Sequence, residues 1–251
     1  GIPTVTYGSV IEEENWRGFV KTACDAAVEW PAGSRTVYHG LSGLFVAAEA
    51  VRRVSDMRPW DEICRERLFA PIGAESLGFS LLPSEFPVAV APPYFTELEK
   101  FGLAGHPAGG CYGTADDMLR VLNLIVHKGT RRGKTLIQPE PLKEMMTVQY
   151  ADSIAKAVSE GTRPVHGSWG LGWLIRGTAP ECSDAYWFGF GDSKSPTLFG
   201  HAGMDTVYGV GDPARELAFV FIMTGKPHDA EEATRLRREV SNRLQDAVIV
   251  S

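Results

Sequence analysis

Apolar positions in the first half of the chain recur every three to four residues, whereas in the second half they fall into short runs broken by turns. From Glu12 to Trp30, the residues Trp16, Phe19, Val20, Ala23, Ala27 and Val28 lie near one helical face, and Pro31-Ala32-Gly33 breaks the pattern. Thr36 to Tyr38 is a short extended piece leading into a helix from about Leu41 to Val54. Leu44, Phe45, Ala48 and Val51 mark the apolar positions of that helix, with Arg52 and Arg53 beside them. Another helix is expected over Trp60–Phe69, ending before Ala70-Pro71-Ile72-Gly73. The four prolines between Leu81 and Pro93 make that stretch a loop. Thr114-Ala115-Asp116-Asp117 has the form of a capping box and opens a helix through Val126, stopped near Gly129. Lys134 to Pro141 reads as a connector, Leu142 to Val148 as a short helix, and Ala151 to Gly167 as a polar stretch.

The period changes at Trp169. Gly170–Ile175, Thr197–His201, Asp205–Gly211 and Glu216–Met223 read as strands, with a turn at Asp212-Pro213 between the last two. A helix from about Ala230 to Val248 closes the chain, its charges forming a solvated face. Helices first, then an antiparallel meander and a closing helix, describe an α+β architecture. One domain over residues 1–251 is expected, mainly helical and looped over 1–168 and carrying strands and the closing helix over 169–251.

Composition narrows the function classes. The 251 residues are 44% hydrophobic and 22% charged, ordinary for a globular protein. A formal net charge of −6 gives no electrostatic reason to expect a nucleic acid partner. No apolar run reaches membrane-spanning length, so no membrane insertion is expected. No basic-plus-apolar leader is seen, as expected if the natural N-terminus is absent, so the compartment stays unknown, leaning cytoplasmic. Cys24, Cys64, Cys111 and Cys182 have neither zinc-site nor disulfide-framework spacing and are expected to be small packing residues. The six histidines are scattered, so neither a metal nor another cofactor is expected.

Two motifs carry chemistry. Tyr38-His39-Gly40 stands where an extended piece enters a helix. Phe199-Gly200-His201-Ala202-Gly203-Met204 stands in a strand. Around them are His106-Pro107-Ala108-Gly109-Gly110-Cys111-Tyr112-Gly113-Thr114, Ser168-Trp169-Gly170-Leu171-Gly172-Trp173 and Phe69-Ala70-Pro71-Ile72-Gly73. These five segments, in their order along the chain, resemble the β-lactamase-related serine hydrolases, the group of class C β-lactamases, penicillin-binding proteins and family VIII esterases. The resemblance implies a β-lactamase/transpeptidase-like fold: an antiparallel sheet flanked by helices, with a mainly helical lobe. It also implies acyl transfer through an acyl-enzyme on a small ester or amide. Tyr38 and His201 would be catalytic. Gly203, Met204, His39, Tyr112 and Trp169 would line the substrate and oxyanion positions. Gly40 stands where that family often has Asn, which removes one amide that would hold a substrate carbonyl.

The family's nucleophile lies in a Ser-x-x-Lys turn upstream of these motifs. The one such string here, Ser153-Ile154-Ala155-Lys156, lies between the second and third motifs, out of order. Gly1-Ile2-Pro3 resembles the end of a segment that follows the nucleophile. The N-terminal part of the family fold is therefore expected to be missing from these residues. Association with such a segment is expected as well, since the sheet would otherwise keep an unpaired edge. A binding protein on the same scaffold, without the nucleophile, is the alternative from another class.

Overall fold

The computed structural model describes residues 13–32, 34, 42–79, 105–149, 168–177, 190–203, 207–223 and 227–248. The chain divides into two compact units, Gly1–Asp117 and Met118–Ser251.

In the first unit, α1 (Glu13–Asp25) buries Trp16, Phe19 and Ala23 against α2 (Ser42–Arg53). Phe45 of α2 is the hub. Its ring centre lies 4.3 Å from that of Trp16 and 3.9 Å from that of Phe19. Only part of the face expected on α2 is inside. Phe45 and Ala48 are buried, but Leu44 and Val51 are exposed, and Glu49 and Arg52 take the inner positions instead. Those charges are held by partners. Trp16 Nε1 donates to Glu49 Oε2 at 2.7 Å. Arg52 pairs with Glu49 at 3.4 Å and Glu13 at 2.5 Å, donates to the carbonyls of Arg58 and Met57, and lies 4.5 Å from the centre of the Trp16 ring. A guanidinium has five donors in a fixed fork, and here the interior supplies acceptors for them.

The helix expected to stop at Phe69 continues. α3 (Trp60–Cys64) runs through a π-helical turn, Arg65–Phe69, into α4 (Ala70–Ile72), and ends at Gly73 with φ of 75°. Pro71 sits at the start of α4, where the wider turn has already interrupted the regular hydrogen-bond ladder, so its missing N–H costs little. Gly78 and Tyr112 then form an antiparallel bridge.

The boundary between units falls in the first turn of α5 (Ala115–Val126), whose start is capped by Thr114. Its Oγ1 accepts from Asp117 N at 3.2 Å. The Asp117 carboxylate accepts from Ser76 N at 3.1 Å, the bond that a capping box would direct back toward Thr114.

In the second unit a hairpin, β1 (Thr130–Arg131) and β2 (Lys134–Thr135), stands where a connector was expected. Its two-residue turn, Arg132-Gly133, has positive φ at both positions, as a type I′ turn requires. α6 (Pro139–Met145) starts three residues before the expected Leu142, because proline suits the first helical turn. The main sheet is antiparallel in the order β3 (Leu174–Ile175), β4 (Phe199–Gly203), β5 (Val207–Asp212), β6 (Leu217–Ile222). Leu198, Tyr208 and Val210 belong to one apolar cluster. Leu122, Val126, Leu142 and Phe199 belong to a second, which brings in α5 and α6. α7 (Ala230–Asp246) is tied to β5 by Tyr208 OH, which donates to Arg237 O at 3.1 Å. Its N-cap, Asp229, accepts from Glu232 N, while the Glu232 carboxylate accepts from His228 N.

Among the described cysteines, Cys24 and Cys111 are exposed and Cys64 is half-buried, so the packing role expected of them is not general. No described helix is long and apolar enough to cross a membrane.

Candidate active-site strand

β4 carries Phe-Gly-His-Ala-Gly, with burial falling from Phe199 and Gly200 to the exposed end at Gly203. Gly200 is required by close packing. A Cβ there would lie 2.4 Å from the carbonyl oxygen of Gly209 and 3.0 Å from the Phe190 ring. The absence of a side chain lets β4 and β5 pair at full register, with His201 opposite Gly209 and Gly203 opposite Val207. Gly203 faces open space, where a Cβ would meet nothing within 4 Å. The backbone at this end of the strand is therefore approachable.

His201 is half-buried beside Trp169, their ring centres 5.3 Å apart and tilted by 58°. Its Nδ1 donates to the carbonyl of Ala202 at 2.8 Å. A carbonyl only accepts, so this bond assigns the proton of the neutral ring to Nδ1 and leaves Nε2 as an acceptor. Burial pushes the His201 pKa below the usual histidine value, and the bond to Ala202 offsets only part of that. His201 is thus a neutral acceptor at pH 7.

Trp169 is positioned by a tight turn. The expected strand over Gly170–Ile175 is regular only at Leu174–Ile175, because the chain folds back. Gly170 N donates to Trp173 O at 2.8 Å, Gly172 adopts φ of 88°, and Trp169 bridges Leu174. Leu174 pairs with Gly200, the residue before His201, which puts Trp169 beside the histidine. Gln149 N donates to Trp169 O, Ile175 N donates to Ser168 O, and Ser168 Oγ donates to Ile175 O. Sequence reasoning missed this bracing by Gln149 and Ser168. The glycines at 170 and 172 were the available signal for the turn.

In the first unit, Tyr112 is half-buried and exchanges two backbone bonds with Gly78, of 3.0 and 2.8 Å. The segment leading to it is anchored by His106. That ring lies 5.4 Å from Phe19 and 5.2 Å from Phe45, and its Nδ1 accepts from Ala108 N at 3.1 Å. Burial lowers the His106 pKa to about 4. Ser42, in the string Gly40-Leu41-Ser42-Gly43-Leu44, is fully buried at the start of α2 and is not an accessible hydroxyl. Tyr38, His39, Met204 and the Ser153–Lys156 string lie outside the described residues, as do the loop over 81–93 and the polar stretch over 151–167.

The family model described as Beta-lactamase matches residues 1–242. Protein Rv1367c of Mycobacterium tuberculosis is 27% identical over 211 residues, covering 81% of this chain and 43% of its own length. The chain thus spans less than half the length of that relative. Among solved structures, a penicillin-binding protein homologue from Caulobacter crescentus superposes with a TM-score of 0.67 at 21% identity, over 97% of this chain and 68% of its own. A family VIII carboxylesterase gives 0.62 at 19% identity, over 93% and 66%. A β-lactamase from Mycobacterium bovis gives 0.60 at 20% identity, over 98% and 78%. These superpositions show the β-lactamase/transpeptidase-like fold, with its helices and antiparallel sheet. The family match runs through almost the whole chain, and the chain belongs to the Beta-lactamase family.

Proposed function

We propose that this chain is part of a serine hydrolase that cleaves small esters or amides through an acyl-enzyme. The observation that carries the reading is the open end of β4. Gly203 leaves its backbone approachable, and His201 is fixed beside Trp169 as a neutral hydrogen-bond acceptor. The amide of Met204, next along, would stabilise the oxyanion that forms when a serine attacks the acyl carbonyl. Tyr38 would take the proton from the serine and return it to the leaving group. A nearby lysine would hold the phenol partly ionised, since an unperturbed tyrosine is a poor base at neutral pH. The proposal assigns the serine and lysine to polypeptide outside residues 1–251. Relatives of the same fold include a family VIII carboxylesterase and EstCE1, described as a hydrolase with promiscuous acyltransferase activity.

Small activated esters are the proposed substrates in preference to β-lactams. Gly40 supplies no side-chain amide for a lactam substituent, and His201, as a neutral acceptor, supplies no fixed positive charge for a carboxylate. The test is kcat/KM of the complete gene product on p-nitrophenyl butyrate and on nitrocefin. The ester is expected to win, and His201→Ala is expected to reduce ester turnover. A clear preference for nitrocefin, or undiminished turnover in His201→Ala, would overturn the reading.

A further inference from the structure

The β1–β2 hairpin carries positive charge that the described structure does not use. In a chain of net charge −6, Lys128, Arg131, Arg132 and Lys134 fall close together, with no Asp or Glu between His127 and Pro139. None of the four makes an ion pair or a side-chain hydrogen bond among the described residues. Arg131 is half-buried, and its Nε is enclosed without an acceptor. The register is unfavourable as well. Arg131 stands directly opposite Lys134, and like charges in that position destabilise a strand pair. The turn between them holds Arg132 at φ of 48°, a left-handed conformation that glycine or asparagine adopts at lower cost. Lys128, at φ of 54°, has a structural use, because it sits just past the negative end of the α5 dipole. The other three cations have none.

The fold holds these cations as a unit. Leu136 N and Ile137 N donate to Gly129 O at 2.8 and 3.1 Å, and Thr130 N donates to His127 O at 3.1 Å, which fixes the foot of the hairpin to the end of α5. A Cβ on Gly129 would lie 2.3 Å from Ile137 O, so the two segments are in close backbone contact. Directly opposed residues of an antiparallel pair share one face, with Cβ atoms about 5 Å apart, so Arg131 and Lys134 present their charges side by side. Arg132 and Lys134 are exposed. This spacing suits one tetrahedral dianion: a guanidinium fork takes two of its oxygens and an ammonium a third. A nucleic acid fits less well. No Phe, Tyr or Trp lies between His127 and Leu142 to stack on a base. An extended polyanion also meets the negative charge of the whole chain. A small anion, within a screening length of about 8 Å, meets mainly the hairpin.

We propose that the Arg131–Lys134 face of the β1–β2 hairpin binds the phosphate group of a small soluble anion. This inference stands whether or not the proposed hydrolysis is found. The test titrates the complete product of the gene with pyrophosphate at constant ionic strength, by calorimetry, beside the variants Lys134→Glu and Arg131→Gln. In Lys134→Glu a carboxylate faces Arg131, so an ion pair replaces the like-charge pair, and the melting temperature is expected to equal or exceed that of the parent. Pyrophosphate affinity is expected to fall by about tenfold or more in each variant. Weaker binding by a protein that melts no earlier separates a binding site from a structural role. No binding by the parent, or equal binding by the parent and either variant, would overturn the proposal. Binding to vesicles of anionic phospholipid with none to pyrophosphate would also overturn it, by making a membrane surface the partner. Where Lys134→Glu or Arg131→Gln prevents folding, Lys134→Gln decides, since the exposed Lys134 side chain has no partner among the described residues to lose. Affinity about tenfold weaker supports the site, and unchanged affinity overturns it.

Discussion

Both units bury some charge, Asp212 and Arg237 in the second and Glu49 and Arg52 in the first, but their main elements present apolar surface differently. In the second unit the sheet follows the ordinary rule. Leu198, Phe199, Tyr208 and Val210 are wholly buried, and most charges of α7 stay exposed or half-buried. In the first unit α2 turns Arg52 and Glu49 inward and leaves Leu44, Val51 and Val54 outside. An antiparallel strand with helices on its faces can bury apolar side chains without outside help.

The largest expected effect is at the buried charge. Arg52→Leu leaves the buried Glu49 to Arg53 and Trp16 alone and takes the donor from the carbonyls of Met57 and Arg58, and breaking a buried pair in this way costs about 3 kcal/mol, the lower end of the usual range because Arg53 remains. Urea unfolding of the complete product measures it. A loss below about 1 kcal/mol, the range of exposed ion pairs, would show that the Arg52 network is solvated and that the contrast between units is weaker than described.

The next effect is a pH dependence confined to the first unit. His106 has a folded pKa of about 4 against the ordinary value of 6.5. The unfolded chain therefore binds the proton first as pH falls. Its contribution to stability is complete above about pH 6.5 and is lost progressively toward pH 4, in total about 3 kcal/mol at the usual 1.36 per unit. Between pH 7, 5.5 and 4.5, stability from unfolding curves should fall less steeply in His106→Gln than in the parent. An unchanged slope in the variant would assign the acid loss to other groups.

A smaller effect separates the second unit. Gly200→Ala forces a methyl to within 2.4 Å of the Gly209 carbonyl, a backbone atom of the paired strand. Overpacking of this kind costs about 1–3 kcal/mol. It should also displace His201 relative to Trp169, which a change in Trp fluorescence would report. Full stability with unaltered fluorescence would mean that β4 and β5 yield at this point.

Much of the second unit was legible because strands declare themselves locally. The β4, β5 and β6 segments and the Asp212-Pro213 turn were read from short apolar runs and one turn residue pair, and their ends moved by only one or two residues. The hairpin at Arg132-Gly133 was missed because arginine gives no turn signal at the first position. Over Gly170–Ile175 the extended pattern was read as one strand, although the two glycines fold the segment back on itself. On α2, helical spacing identified the helix and not its inner face, because both sides are apolar and Arg52 is admitted by partners thirty-nine residues away, at Glu13. No local pattern encodes such a partner. Of the proposed site, His201 and Trp169 are brought together by pairing through Leu174 and Gly200, a register that follows from the folded sheet alone. Tyr38 and Met204 lie outside the described residues.

The central claim is covalent catalysis by a serine that works with the β4 strand. The most direct measurement is labelling of the complete gene product with a fluorophosphonate, followed by mass spectrometry of the intact protein and its peptides. The account predicts one adduct per chain, on a serine three residues before a lysine and outside residues 1–251, with labelling slowed by His201→Ala. Absence of any adduct on folded protein would contradict it and favour a binding role for this scaffold, and an adduct on Ser153 would move the nucleophile into the chain described here.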